Sequence, residues 1–404
     1  MKLSKTSQLV LVSTIGLLVA GLISACQLVT VDYVFLAGAG GATGCNAGGI
    51  QTFAVDSETG ALRSGFAPCV ASGGNSPVAM AVSPDFANLY VANSDNDTVV
   101  HFSLASNGAL TKKETITLPE PPTALAVNQA SSFLYVAYGS TTANLAEYSL
   151  SSGNIGSATA TEALLVPGFT GDTVVPTGVA VLPNNGAVYV SAYDQSSYNP
   201  GGTVTSSASP GWVFGFAVGS GGALSPAAAS PYQTGIKPSA LAAEATSRFI
   251  YVTDYASNHL IGYGVTSGST LNFLISGPFK TGSEPSSIIV DPRAKYIYVS
   301  NALDSSVSSY AIDLTTGIPS SVINVTGAQI NATDSQPVSV AVDPALGRFV
   351  YTANFLGNSV SGFQINPDTG ALKPSAATPY PSQLHPTALV IVPHGNHSLE
   401  STSP

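Results

Sequence analysis

Apolar residues fall in short runs broken by turn residues, and one unit of that pattern is written repeatedly. Residues 337–354, PVSVAVDPALGRFVYTAN, show it most clearly. Val338, Val340 and Val342 alternate with Ser339 and Ala341, a mix of β-branched and small residues that suits a buried strand. Asp343-Pro344 opens a turn, Gly347 loosens its exit, and residues 349–354 form the returning strand. The unit starts again at Pro77, Pro122, Pro176, Pro238 and Pro285, and the spacings between successive starts through Pro337 are 45, 54, 62, 47 and 52 residues. A period of that length made of strands and turns predicts propeller blades, because helical repeats of similar length need long amphipathic helices that are missing here.

Two half-units predict how the ring closes. Residues 33–38 (YVFLAG) are a second strand with no first strand before them, and residues 386–393 (PTALVIVP) are a first strand with no second after them. Joined, they complete a seventh blade and remove the open edges of a linear stack. Each unit carries two weaker outer strands, in the last copy residues 359–365 and the run from Ala371, separated by the turn NPDTG. Small inner-strand residues (Ala124, Ala126, Ala180, Ala242, Ala341) fit the taper towards an axis. The expected fold is therefore all-β: a seven-bladed propeller of four-stranded antiparallel blades over residues 31–393. A Gly/Pro/Ser-rich stretch, residues 194–211, interrupts blade four between its second and third strands as an insertion loop.

Composition narrows the partners. Charged residues are 8 % of the 404-residue chain, hydrophobic residues 44 %, and the formal net charge is −10. A thinly charged acidic surface lacks the cation clusters that nucleic acid requires, and the apolar content is too high for a disordered chain. The expected partners are instead a membrane, reached through an N-terminal lipid, and an envelope protein, polysaccharide or small-molecule ligand.

The membrane expectation comes from the first 25 residues. Lys2 and Lys5 precede an apolar run over residues 9–23, too short to span a bilayer comfortably. Ile-Ser-Ala-Cys then ends at Cys26. The segment resembles the bacterial lipoprotein signal, which implies that Cys26 becomes an acylated N-terminus followed by a short linker over residues 26–30. Two or more acyl chains anchor a protein stably. Gln27, in place of the Asp that favours inner-membrane retention, points to the outer membrane. Outside the cytoplasm thiols tend to pair, and an antiparallel pairing across the turn at residues 56–60 brings Cys69 back towards Cys45, so a Cys45–Cys69 disulfide is expected.

Searches for local catalytic motifs return little. There is no G-x-S-x-G, H-E-x-x-H or C-x-x-C, and the Gly-rich residues 38–49 lack a following helix. Residues 93–97 (NSDND) place oxygens at alternate positions as calcium loops do, but lack the Gly and distal Glu; they read as an Asx-rich turn. No cofactor and no metal are expected. His101 and His259 sit on third strands in structural roles, while His394 and His397 fall in a polar, disordered tail over residues 394–404.

His385 differs, because it directly precedes the inner-strand Pro386. Lys237, Glu284 and Gln336 hold the equivalent positions before Pro238, Pro285 and Pro337, so seven-fold geometry gathers Lys237, Glu284, Gln336 and His385 around one rim. The second-strand ends Tyr138, Tyr193 and Tyr255 point to the same face. Glu284, His385 and Lys237 are candidates for acid–base work; binding of a ligand or partner at the same rim without chemistry is the favoured reading.

The unit Pro-x-x-Ala-x-x-Asp-Pro … Phe-x-Tyr-Val-x-Asn … Asn-x-Val … Thr-Gly-x-Leu resembles the bacterial seven-bladed propellers of the lactonase family, which includes propeller-type 6-phosphogluconolactonase and the muconate-lactonising cyclase. Tyr251-Val252-Thr253-Asp254 and Tyr298-Val299-Ser300-Asn301 also resemble the surface propellers named for Tyr-Val-Thr-Asn repeats. The resemblance implies a site on one face built from histidine, carboxylate and arginine, yet Arg248, Arg293 and Arg348 lie in turns of the opposite face and Arg63 begins an outer strand. With no local motif to carry catalysis, the expected function is a lipid-anchored binding scaffold at the cell envelope. The alternative is a lactone hydrolase or lactonising cyclase.

Overall fold

The computed structural model describes residues 29–40, 48–64, 69–168, 174–195, 211–395 and 397. They form seven antiparallel sheets arranged in a ring, as the repeat predicts. Blade 5 is representative: Pro238–Ala243 lines the axis, Phe249–Asp254 and His259–Val265 follow outward, and the outermost edge is split into Leu271–Phe273 and Phe279–Lys280. Blades 1, 4, 6 and 7 share the split edge, whereas blades 2 and 3 carry one continuous outer strand each, Leu110–Thr117 and Asn154–Ala163. The signal segment with Cys26, the loop bearing Cys45 and residues 196–210 of the insertion lie outside the described residues.

Blade 1 is assembled from both ends of the chain. Thr30–Gly38 pairs on one side with Gly49–Asp56 and on the other with the C-terminal Pro386–Pro393, in the register Leu36 to Leu389. The inner strands then neighbour one another in order round the axis, Pro386–Pro393 meeting both Pro77–Val82 and Pro337–Val342. Gln383 latches this junction: its Nε2 donates to the carbonyls of Leu36 (2.8 Å) and Gly49 (2.9 Å).

Second strands are buried on both faces, which explains their near-continuous apolar sequence. Their recurring tyrosine has a specific task. Tyr251 Oη donates to the Gly317 carbonyl (2.7 Å) and Tyr351 Oη to Gly60 (2.7 Å), each in the outer turn of the next blade. Tyr90, Tyr189 and Tyr298 make the corresponding bonds to Gly153, Ser269 and Gly370. Near the axis a second set of staples repeats. Ser239 Oγ donates to the Pro285 carbonyl (2.6 Å), Ser286 Oγ to Pro337 (2.7 Å), and Thr387 Oγ1 to Pro77 (2.6 Å) across the closing junction. Blade packing is therefore apolar in bulk and keyed by single hydroxyls whose loss leaves a buried carbonyl unpaired.

Of the expected polar tail, residues 394, 395 and 397 are described, and both of its histidines are packed against the ring. His394 meets Tyr33 edge-on at 4.9 Å between ring centroids. His397 is buried, its Nε2 3.4 Å from carboxylate oxygens of both Asp32 and Asp343. His394 thus packs on blade 1, and His397 reaches carboxylates of both blade 1 and blade 7. The Asx-rich turn at residues 93–97 is as expected: Asn93 Oδ1 accepts from Ser72 Oγ, Asp95 from Ser76 Oγ, and Asn96 from the Asn75 N–H.

Candidate active site

The residue before each inner-strand proline is presented at the rim by a backbone device. Glu284, Gln336 and His385 have φ of 55°, 56° and 50°, the left-handed region, which is unfavourable for residues with a Cβ and doubly so before proline. Hydrogen bonds hold them there. Asn258 Oδ1 accepts the Glu284 N–H (2.8 Å) and Asn358 Oδ1 accepts the His385 N–H (2.8 Å), in both cases from the preceding blade. On the other side the Glu284 carbonyl accepts from Ala302 N–H and the Gln336 carbonyl from Phe355 N–H. Lys237 is anchored differently, its N–H donating to Asp254 Oδ1 (2.8 Å), while Asp254 Oδ2 takes the Ile236 N–H (2.8 Å). Asn258 and Asp254 are thus positioning residues; the repeated Asn before the third strand was the signal that could have revealed the first.

The structure brings four of the expected rim residues into one cluster. Tyr255 Oη donates to Glu284 Oε2 at 2.6 Å. Lys237 Nζ lies over the Tyr255 ring at 4.5 Å from its centroid and over the Tyr193 ring at 5.4 Å. Burial lowers the Lys237 pKa from its ordinary value, and the Glu284 charge opposes that shift without cancelling it. The result is a half-buried ammonium flanked by two aromatic faces and a carboxylate, able to stabilise a negative charge that forms beside it.

The other expected rim residues separate from this cluster. His385 is exposed and stacks on Phe355, with 4.7 Å between ring centroids. Gln336 lies between the two groups, one blade from each. Tyr138 is a correction: it is buried in the core of blades 2 and 3 with Leu125 and Ala146, so its ring does not line the rim. Glu120 is engaged as a loop anchor, accepting from the N–H groups of Ser140 (2.6 Å) and Thr141 (2.8 Å) and from the Thr141 hydroxyl, which together hold its carboxyl down at about 2.

Arginine is placed where the sequence suggested. Arg293 pairs with Asp291 (2.6 Å), Arg348 donates to the Ser57 carbonyl, Arg248 to Thr246, and Arg63 to Thr30. Among the described residues no arginine reaches the rim. Two cavities of 420 and 520 Å³ lie on the flanks of blades 5 and 6. The rim remains the better site, because there an ammonium lies directly over two tyrosine rings, one of which donates to a carboxylate.

Comparisons with known proteins agree with this architecture. The family model of the seven-bladed β-propeller lactonases matches residues 37–168 and 98–397. Among solved structures, the periplasmic gluconolactonase of Pseudomonas aeruginosa superimposes with a TM-score of 0.68 at 18 % identity, covering 90 % of this chain and 99 % of that one. A candidate 6-phosphogluconolactonase from Bacteroides fragilis gives 0.68 at 19 % identity, over 90 % and 98 % of the two chains. One from Bacteroides uniformis gives 0.70 at 17 % identity, over 90 % and 99 %. No curated protein sequence matches the chain. Likeness at these identities establishes the fold. The family match also overturns the expectation of a scaffold without chemistry, in favour of the lactonase-like alternative. That expectation weighed the missing local motif too heavily, since a site contributed one residue per blade leaves none. The chain belongs to the seven-bladed β-propeller lactonase family.

Proposed function

We propose that this protein hydrolyses a lactone at the rim between blades 4, 5 and 6, with Glu284 as general base and Lys237 as electrostatic stabiliser. The observation that carries the reading is the Lys237–Tyr255–Glu284 cluster. Glu284 takes a proton from water as its oxygen bonds to the lactone carbonyl carbon. The oxyanion of the tetrahedral intermediate forms beside the Lys237 ammonium. Collapse breaks the ring C–O bond, and the proton held by Glu284 passes to the departing alkoxide, giving the hydroxy acid and restoring the carboxylate. Tyr255 fixes the carboxylate's orientation.

The arginine placement favours an uncharged lactone over a phosphorylated one, because phosphate is ordinarily gripped by arginine forks. A sugar lactone such as the one named for the Pseudomonas neighbour suits a rim of tyrosines and hydrogen-bonding groups. The proposal extends to export: the signal-like segment ending at Cys26 and the periplasmic neighbour support a lipid-anchored enzyme at the cell envelope, stapled by a Cys45–Cys69 disulfide. Its Cys69 end lies just before Val70–Ala71, which pairs with Gly49 and Ile50.

Turnover of glucono-δ-lactone and of its 6-phosphate is the test, read as proton release above the spontaneous rate. The expected result is preference for the uncharged substrate and a loss in kcat of at least 100-fold, on the scale of general-base removal, in Glu284→Gln. Lys237→Met is expected to lower kcat more than it raises KM. Activity unchanged in both variants would sink the assignment.

A further inference from the structure

The C-terminal segment carries a second constellation, on the face opposite the rim. Asp32 opens the second strand of blade 1, Asp343 sits in the inner turn of blade 7, and His397 follows the closing strand. All three are buried, Asp32 and Asp343 completely, and their ligand-type atoms lie within 4.8 Å of one another. His397 Nε2 is 3.4 Å from Asp32 Oδ1 and 3.4 Å from Asp343 Oδ1.

From this geometry we infer a divalent transition-metal site, of the zinc class, formed by Asp32, Asp343 and His397 and locking the C-terminal segment across the closure seam. Three arguments support it. The first is spacing. Charge-assisted hydrogen bonds between nitrogen and carboxylate oxygen run about 2.7–2.9 Å, shorter than either contact here. Ligand atoms about 2.1 Å from a tetrahedral zinc are instead about 3.4 Å apart along each edge. The second is donor chemistry. Two completely buried carboxylates and an imidazole converge, an anionic-oxygen and nitrogen donor set of the kind a divalent transition-metal ion takes. The third is support. Asp343 Oδ1 also accepts from the N–H of Ala345 (2.9 Å) and Leu346 (3.3 Å), and Oδ2 from the N–H of Arg348 (3.2 Å). Such outer contacts fix a metal-ligating carboxylate in place. Two carboxylates and an imidazole suit zinc or manganese better than the all-oxygen shell that calcium takes.

The experiment uses the full, untagged chain, stripped with EDTA and dialysed. Titration calorimetry with Zn²⁺ is expected to show one ion per chain at micromolar or tighter dissociation constant. Asp32→Asn and His397→Gln are each expected to weaken it at least tenfold, with circular dichroism checking that both variants fold. Co²⁺ substitution gives a second readout: visible d–d bands of four-coordinate cobalt, absent in His397→Gln. No saturation below about 100 μM Zn²⁺, or binding and cobalt bands indifferent to both substitutions, would overturn the site and leave the cluster as an ion pair. Because lactone turnover is read at the other face, loss of the metal site leaves the rim assignment standing, and the reverse also holds.

Discussion

Replacing Asn258 by glycine separates two contributions that the structure combines. Asn258 itself has φ of 59°, and its Oδ1 accepts the N–H of Glu284 at 2.8 Å. Glycine keeps the left-handed backbone without strain and removes only the acceptor. A neutral hydrogen bond of this kind contributes about 0.5–1.5 kcal/mol net. Glu284 is held in a conformation that costs about 1–3 kcal/mol, so losing the anchor lets the chain relax towards the extended geometry natural before proline. Converted at RT of about 0.59 kcal/mol, the productive population falls by up to about two- to thirteen-fold. Asn258→Gly is therefore expected to lower kcat for glucono-δ-lactone within that range while KM changes little. Asn258→Asp, which retains an acceptor, is expected to recover most of the activity. A glycine variant with wild-type kcat, or an aspartate variant no better than glycine, would refute the view that rim residues are presented by their anchored left-handed backbone.

Two further outcomes follow from the packing. Tyr351→Phe removes the buried bond to the Gly60 carbonyl across the closing seam; it is expected to destabilise the ring by about 1–3 kcal/mol, read from urea midpoints, and an unchanged midpoint would show that the staple is dispensable. Burial pushes the Glu114 carboxyl up, but its bonds to the Ile155 N–H and His101 outweigh this and leave its pKa lowered. A depressed carboxylate stabilises the fold above its unfolded value near 4.3 and loses that contribution as pH falls through the lower folded value. The melting difference between wild type and Glu114→Gln is thus expected at pH 7 and to shrink by pH 3; a difference independent of pH would contradict it.

Much of the architecture was legible because blade structure is local. The alternation in residues 337–342, the Asp-Pro turn and the tyrosine at position 351 lie within one short stretch, and two complementary half-units carried the closure. The rim was partly legible: equivalent positions before successive prolines placed Lys237 beside Glu284, but could not show that Tyr138 turns into the core while Tyr255 turns towards a carboxylate. Side-chain direction at a strand end depends on what the neighbouring blade leaves open. Least legible was the Asp32–Asp343–His397 cluster. Its members come from both ends of the chain and a turn, and His397 looked like part of a solvated tail until the ring supplied walls around it. The scaffold expectation failed for a related reason, since chemistry distributed one residue to a blade has no local spelling.

The pairing of Thr30–Gly38 with Pro386–Pro393 also sets the order in which the molecule can be finished. Partners more than three hundred residues apart in the chain must find each other, and the loop-closure entropy of doing so grows only slowly with that distance. The larger consequence is temporal. Until the last strand has been synthesised, both ends of the sheet array are bare edges able to recruit other chains. A chain truncated before Pro386 is therefore marked as incomplete by its own surface, exposed to aggregation or to proteases, whereas the finished chain withdraws that mark in one step. The final strand acts as a test of completeness built into the topology.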